Sequence, residues 1–188
     1  MAAKALPSPE VLRQLLRYEP ETGKLLWLPR KHVLGTTKRA TNTFNSRRAG
    51  SEAFTCLSTD GYLIGAVLGV SLRAHRVAWA IQYEVWPCGM IDHIDGNRAN
   101  NRINNLRVVT PAENARNAAH HKNSPHPYPG IRRHNGRWIA FIGSGGSSFL
   151  GAFETLDEAL MVRKRAEQDF GYHQNHGRNT HFVNPWGK

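Results

Sequence analysis

The sequence contains little cysteine, which limits the scaffolds and metal sites that it can form. Its 188 residues include only Cys56 and Cys88, two thiols with neither a close pairing nor a metal-ligand spacing. Disulfide scaffolds and cysteine-based zinc sites need several cysteines at short, regular intervals. We therefore expect neither of them, and we expect a reducing environment for the chain.

Long apolar runs are absent as well. No stretch of about 18 apolar residues occurs, which is the length that a membrane-spanning helix needs. The N-terminal residues MAAKALPSPE also lack the apolar stretch of a signal peptide. These absences predict a soluble protein that is not exported and does not span a membrane.

Acidic residues are scarce: 14 Asp and Glu stand against 25 Lys and Arg, which gives a net charge of +11. Such an excess favours a polyanionic partner, with nucleic acid ahead of a membrane surface. Residues 28–50 hold six Lys and Arg and no acid. This block is typical either of a loop that contacts phosphates, with Arg47 and Arg48 among the contacts, or of a disordered basic arm.

A second acid-free window covers residues 114–153, and acids return only in the segment that follows, at Glu154, Asp157, Glu158, Glu167 and Asp169. The C-terminal part is therefore expected to have one positive face and one more acidic face. Such a separation is expected if one side docks on DNA.

The N-terminal half shows short helix and strand signals. Ser8 and Pro9 precede apolar residues at helical spacing, and this predicts a short helix. Residues 24–28 read as a strand, residues 53–72 as a small hairpin, and residues 74–83 as a helix.

Residues 90–119 have the order strand, long loop, strand, helix. Residues 91–94 and 106–109 are the two short apolar runs. Thr110, Pro111 and Glu113 supply a capping box and a proline at the first helical position, so a helix is predicted to begin at about Pro111. That helix carries Asn114 in its first turn. Asparagine is a poor helix former, so its presence there indicates that the side-chain amide has a functional role.

The C-terminal part begins after residues 118–127, a small, polar, proline-containing stretch that we interpret as a linker. Three strands are predicted at 130–134, 137–143 and 148–153, the first two joined by an Asn-Gly turn. Apolar residues at helical spacing follow from Leu156 and predict one amphipathic helix. The helix would cover one face of the sheet and leave the other to solvent or DNA.

The central segment resembles the HNH endonuclease motif, the ββα-metal nuclease site of phage and homing enzymes. Its three motif positions correspond to His93, Asn105 and Asn114, and Asp92 precedes the histidine. The similarity extends over residues 18–117, through Tyr18-Glu-Pro-Glu-Thr-Gly, Ala49-Gly50, Asp60-Gly61-Tyr62 and Ala74-His75-Arg76, and Arg76 joins the expected DNA contacts. At the last motif position this sequence has Asn114, where many members of the family have histidine. An amide is a weaker metal ligand than an imidazole.

The residue types suit phosphodiester hydrolysis, which needs an activated water, a cation near the phosphate and a stabilised leaving 3′ oxygen. His93 can accept the proton of the water as general base. Asp92 and Asn114 are expected to give oxygen ligands to a divalent metal ion, most simply Mg²⁺. Asn105 would hold the loop through hydrogen bonds to backbone. Because adjacent strand residues point to opposite faces, Asp92 and His93 can share a site only if the strand is distorted.

A calcium-binding loop is the alternative for the same acidic turn. It fails because position 12, counted from Asp92 or from Asp95, is Ile103 or Leu106, and neither is a carboxylate.

Residues 128–171 resemble an AP2 DNA-binding domain, a three-stranded sheet backed by one helix. The similarity rests on Gly-Ile-Arg-Arg at 130–133, Arg-Trp-Ile-Ala at 137–140 and Leu-Gly-Ala-Phe-Glu-Thr at 150–155. Such a sheet can lie in the major groove of DNA with arginines on guanine edges or phosphates. Arg132, Arg137 and Trp138 match the DNA-facing pattern and Arg133 matches it less well. Trp138 fits equally well as a core aromatic that packs on the helix.

These observations predict an α+β protein with an HNH nuclease domain at residues 1–117 (motif 90–117), a linker at 118–127 and an AP2-like DNA-binding domain with a tail at 128–188. The resemblance implies a metal-dependent endonuclease that hydrolyses double-stranded DNA and uses no small-molecule cofactor besides the metal. It places the protein in the cytoplasm, that of the bacterial host if a phage encodes it. Two functions stay open beside this one, a non-catalytic sequence-specific DNA-binding protein and, from charge alone, an RNA-binding protein of ribosomal type.

Overall fold

A computed structural model describes residues 5–31, 37–117, 124–143, 148–174 and 176–177. The chain divides into two compact units, Met1–Val109 and Thr110–Lys188. Both combine small antiparallel sheets with helices, in agreement with the expected α+β class. The linker predicted at 118–127 stays a prediction, because residues 118–123 lie outside the described residues.

The first unit consists of short elements that pack around one apolar core. In chain order the elements are α1 (Pro9–Leu15), β1 (Leu16–Glu19), β2 (Lys24–Trp27), α2 (Lys38–Arg48), β3 (Glu52–Ala53), β4 (Cys56–Leu57), β5 (Leu63–Val67), β6 (Val70–Arg73), α3 (Ala74–Tyr83), β7 (Met90–His93), a 3₁₀ turn (Ile103–Asn105) and β8 (Leu106–Val109). The sheets have the strand orders β1-β2-β3, β4-β5-β6 and β7-β8, all antiparallel.

The two helices predicted in the N-terminal half are confirmed, and they form the centre of this core. Helix α1 begins at Pro9, where the Ser8 hydroxyl accepts a hydrogen bond from the backbone N–H of Val11. It packs Leu12 against α3, in which Val77 is fully buried. Burial of a side chain of this size contributes roughly 1.5–3 kcal/mol. The core thereby fixes α3, whose first turn carries His75.

Residues 38–48 form a helix, and the loop or disordered arm predicted for this part of the basic block is wrong. The Thr37 hydroxyl caps α2 by accepting from the N–H of Ala40. Phe44 meets the ring of Trp27 edge-on at a centroid distance of 5.5 Å. The sequence shows no apolar stripe here, so the cap and one aromatic contact, rather than a hydrophobic face, hold the helix. Residues 32–36 of the block lie outside the described residues.

The nuclease-like motif folds in the predicted order of strand, loop, strand and helix. Strands β7 and β8 pair with Asp92 opposite Arg107 and His93 opposite Leu106. Helix α4 (Pro111–Arg116) has the predicted capping box: the Thr110 hydroxyl accepts from the N–H of Glu113, and the Glu113 carboxylate accepts from the N–H of Thr110. This helix is counted with the second unit.

The second unit contains the predicted three-stranded sheet with one helix. After α4 come β9 (Ile131–His134), β10 (Arg137–Ile142), β11 (Ser148–Phe153) and α5 (Leu156–Asp169), and β10 is the central strand. The predicted turn between β9 and β10 has φ values of 47° at Asn135 and 80° at Gly136. Two successive positive φ values are what a two-residue hairpin turn of this twist requires.

Helix α5 packs against the sheet and forms a small core with it. Ile131, Ala140 and Ala159 are buried together, and Trp138 and Leu160 lie against them. None of the helices in the described ranges combines the length and the apolar character needed to cross a membrane.

Candidate active site

His93 is buried at the end of β7 and is held by a neighbouring amide. Its Nε2 lies 3.0 Å from Oδ1 of Asn101, and the residue is 3% exposed. Burial lowers the pKa of His93, while the bond to Asn101 and the nearby Asp95 oppose that shift. The imidazole is therefore neutral at pH 7, which is the state that can accept a proton.

His75 and Tyr62 complete an aromatic cluster around this histidine. The ring centroid of His75 lies 5.2 Å from that of His93 and 4.9 Å from that of Tyr62. Burial first, and then the neighbouring His93 and the arginines beside it, lower the pKa of His75 to about 3. Nδ1 of His75 and Nδ2 of Asn101 are buried and have no hydrogen-bond partner among the described residues. A buried polar atom of this kind is a place where a water or another polar group can bind.

The loop between β7 and β8 is held by the hydrogen bonds expected of Asn105. Its Oδ1 accepts from the N–H of Asp95 at 3.0 Å, and its Nδ2 donates to Oδ1 of Asp95 at 2.9 Å and to the carbonyl of Asn100 at 2.8 Å. Burial opposes ionisation of Asp95, but hydrogen bonds from Asn100, Asn105 and Asn97 together lower its pKa. The loop is therefore closed around an ionised Asp95.

Strand β1 and the turn that follows it support the same loop from outside. The hydroxyl of Tyr18 donates to the carbonyl of Asn101 at 2.7 Å. Nε of Arg102 donates to the carbonyl of Glu21 at 2.8 Å. A Cβ on Gly23 would lie 2.6 Å from the backbone N of Arg102, so only glycine permits this approach. Asn101 is therefore held against His93 partly by residues 18–23, which lie far upstream in the sequence.

Asp92 is paired with a cation across the strand ladder. Its Oδ2 accepts hydrogen bonds from Nε and Nη2 of Arg107 at 3.0 and 2.8 Å, and its side chain is 10% exposed. The register runs regularly through Asp92 and His93, so the two side chains leave β7 on opposite faces. Asp92 and His93 could share one site only if β7 were distorted, and β7 and β8 show no such distortion.

The other predicted nuclease residues have separate environments. Asn114 is partly buried on α4, in the second unit. Arg76 donates to the carbonyls of Pro87 and Gly89, which favours a structural role for its guanidinium. Arg47 and Arg48 lie in the last turn of α2.

The sheet of the second unit separates the four predicted DNA contacts. Arg132 pairs with Ile139 across the strands, and Arg133 pairs with Trp138. Cross-strand partners share a face, so Arg132 and Arg137 lie on the face away from α5, while Trp138 and Arg133 lie on the helix side. Trp138 packs on the core there, which favours its interpretation as a core aromatic. On the outer face the Arg132 guanidinium lies 4.7 Å from the ring centroid of Phe141.

Sequence reasoning missed His75, Asn101 and Tyr62 as members of the site. Two signals could have found them: His75 stands in the Ala-His-Arg segment already noted for its resemblance, and Asn101 lies in the loop between two identified motif residues. The contacts of these residues with His93 depend on tertiary packing of distant segments around β7. No local sequence pattern specifies that packing.

Comparison with curated proteins and with solved structures finds no match. Residues 72–116 match the family model described as HNH endonuclease. The matched segment runs from the end of β6 to the end of α4 and includes His75, Asp92, His93, Asn105 and Asn114. The match supports an HNH nuclease, with DNA as its substrate.

Proposed function

We propose that the protein is a metal-dependent HNH endonuclease that hydrolyses phosphodiester bonds of double-stranded DNA and binds DNA also through an AP2-like C-terminal sheet. The observation that carries the proposal is the buried, neutral His93, oriented by Asn101 inside the segment that matches the HNH endonuclease family. A phage or homing origin, and a cytoplasmic location, are part of the same proposal.

His93 is the general base. The bond from its Nε2 to the amide oxygen of Asn101 corresponds to the tautomer with the proton on Nε2 and the lone pair on Nδ1. The imidazole accepts a proton from water as the water oxygen bonds to phosphorus, and the bond to the 3′ oxygen breaks.

The metal would be held by oxygen donors. Among the residues that the structure describes, no group of three or more His, Cys, Asp and Glu side chains is placed to hold a metal ion. The proposed protein ligands are the Asp92 carboxylate and the Asn114 amide. Both are oxygen donors, which Mg²⁺ prefers, and water and phosphate oxygens would supply its other ligands. When bound, Mg²⁺ neutralises charge on the phosphate and on the leaving oxygen. Arg107 fixes the orientation of the Asp92 carboxylate through two hydrogen bonds.

The cleavage test uses supercoiled plasmid with Mg²⁺, with a chelator, and with the variant His93→Ala. Loss of a positioned base lowers the rate by about 10²–10⁴, whereas DNA affinity should stay near the wild-type value because the base acts on water. The exposed His126 gives the matched control, and His126→Ala should cut normally. Normal cutting by His93→Ala would exclude His93 as the base. Absence of wild-type cleavage under all metal conditions would favour the non-catalytic DNA-binding alternative.

The C-terminal sheet is proposed to contact DNA through Arg132 and Arg137, which share its outer face. Arg133 is the matched control, because it is the neighbouring arginine on the helix side, with its guanidinium 5.5 Å from the Trp138 ring. Arg132→Ala and Arg137→Ala should weaken binding of duplex DNA more than Arg133→Ala does. Equal effects of the three variants would show that the outer face has no special part in binding. Tighter binding of structured RNA than of duplex DNA would favour the RNA-binding alternative.

A further inference from the structure

Helix α2 and the residues Arg30 and Thr37 line an open basic cavity in the first unit, outside the cluster around His93. Its volume is about 620 Å³. The side chains that line it are mainly cationic or hydroxylic, with one aromatic ring: Arg30, Thr37, Arg39, Ala40, Thr43, Phe44, Arg47 and Arg48.

The positive charge in this cavity is not neutralised by any acid of the part of the chain that the structure describes. Among the described residues, no ion pair joins Arg30, Arg39, Arg47 or Arg48 to an acid. Helix α2 itself contains no acidic residue. Four arginines gathered in this way repel one another, and a bound anion relieves that repulsion.

The lining residues of α2 form two rows along the helix, and one row contains two cations with a hydroxyl between them. Arg39, Thr43 and Arg47 are spaced four residues apart, and so are Ala40, Phe44 and Arg48, which places each set on one side of α2. From position 39 to position 47 the helix rises roughly 12 Å. One strand of duplex DNA carries a phosphate about every 3.4 Å along the axis, so the row can meet about three successive phosphates.

Arg30 is fixed in place before any ligand binds. Oδ1 of Asn45 accepts from its backbone N–H at 2.8 Å, and Nδ2 of Asn45 donates to its carbonyl at 3.1 Å. The guanidinium lies 3.6 Å from the ring centroid of Phe44, and its buried Nε has no hydrogen-bond partner among the described residues. A guanidinium held in this way loses little conformational freedom when it binds an anion.

The lining also indicates what kind of anion fits. Cavities of similar size that bind small molecules are mostly apolar, with a few polar groups. Here the apolar groups are Ala40 and Phe44, and the ring of Phe44 is covered by Arg30. A neutral small molecule would leave these arginines without a counter-charge, whereas a chain of phosphates can pair with several of them at once.

We infer that this cavity binds consecutive backbone phosphates of the DNA substrate. The inference takes its ligand, DNA, from the proposed function. It adds Arg30, Arg39 and Thr43 to the phosphate contacts already expected of Arg47 and Arg48. It assigns to an ordered helix the role that the sequence had suggested for a loop.

The test measures equilibrium binding of a labelled DNA duplex by the full chain over a series of salt concentrations, in EDTA so that no cleavage occurs. The variant Arg39→Gln/Arg47→Gln removes two cations, and glutamine is a good helix former, so α2 is retained. The slope of log K against log salt should become shallower by about 0.9 for each phosphate that is no longer neutralised, or roughly 1.8 in total, and affinity should fall on the order of tenfold or more near 0.1 M salt.

The matched control is Arg13→Gln/Arg17→Gln, which makes the same change in net charge at two arginines of the same unit outside the cavity. Its salt slope should equal that of the wild type. The single variant Arg47→Gln, with an expected slope change of about 0.9, gives the same test if the double variant folds poorly. A wild-type slope in the cavity variants would overturn the inference, and so would equal slope changes in cavity and control variants.

Titration with inorganic phosphate separates the two sources of a phosphate group. No saturable binding is expected at low salt, since a single phosphate cannot use the row of cations. Saturable binding that Arg39→Gln/Arg47→Gln abolishes, with DNA binding unchanged, would reassign the cavity to a free phosphate ligand. Binding in EDTA does not depend on catalysis, so a wild-type protein that fails to cut DNA but shows the expected slope change refutes only the nuclease proposal.

Discussion

Replacement of Asn105 by alanine tests how the loop between β7 and β8 is held. The side chain makes three hydrogen bonds, two with Asp95 and one with the carbonyl of Asn100. Asn105 is buried, and alanine replaces none of these bonds. The backbone N–H of Asp95 and the carbonyl of Asn100 would lose their side-chain partner.

The expected loss in the free energy of unfolding follows from these three bonds. A hydrogen bond between neutral groups contributes about 0.5–1.5 kcal/mol, and one to a charged group about 1.5–3 kcal/mol. Since Asp95 is itself exposed, water replaces part of what it loses, and the total should be on the order of 2–4 kcal/mol. The pKa of Asp95 should also rise, because one of the bonds that lowers it is gone.

The measurement is urea unfolding of the full chain, with Asn104→Ala as the control. Asn104 belongs to the same 3₁₀ turn and is exposed, and its side chain makes no hydrogen bond with the described residues. The control should therefore unfold at nearly the wild-type midpoint. Hydrogen exchange at the amide of Asp95 should accelerate in Asn105→Ala and not in Asn104→Ala. Equal midpoints and equal exchange in the two variants would refute the role assigned to Asn105.

Three further predictions concern the support, the titration and the proposed metal ligands of the site. Gly23→Ala should destabilise the protein by on the order of 1–3 kcal/mol more than Gly50→Ala, because both have positive φ but only Gly23 has backbone against its Cβ position; equal melting temperatures would contradict this. His75 takes up a proton near pH 6.5 in the unfolded state but only near pH 3 in the folded state. The free energy of unfolding should therefore fall as the pH drops below about 6.5, by up to about 1.4 kcal/mol per pH unit. In urea unfolding, His75→Phe should make this pH dependence weaker. Asp92→Ala and Asn114→Ala should raise the Mg²⁺ concentration needed for plasmid cleavage, whereas Asn114→Asp should retain activity; cleavage in a chelator would exclude the metal.

Local chemistry in the sequence was sufficient for several elements. The capping residues Thr110 and Glu113 define the start of α4, and the Asn-Gly pair at 135–136 defines the turn between β9 and β10. The apolar spacing of residues 74–83 gives the bounds of α3. Each of these signals acts within a few residues, so the sequence alone contains the information.

Contacts between distant residues were not predictable in the same way. Helix α2 was missed because its stability comes from the Thr37 cap and from Phe44 on Trp27 rather than from an apolar stripe. The Asp92–Arg107 pair depends on the register of two strands across a loop of unknown shape. The ring contact between His75 and His93 depends on packing between α3 and β7.

The turn between β1 and β2 means that the HNH segment is not an independent structural module. Tyr18 and Asn101, which are joined by a hydrogen bond, are 83 positions apart in the sequence. The segment from 72 to 116 leaves this turn out, although the turn fixes the backbone on which Asn101 orients His93. A graft of that segment into another scaffold would therefore lose the orientation of His93 unless the turn were transferred with it. For the same reason, substitutions near Gly23 are expected to change the orientation of His93.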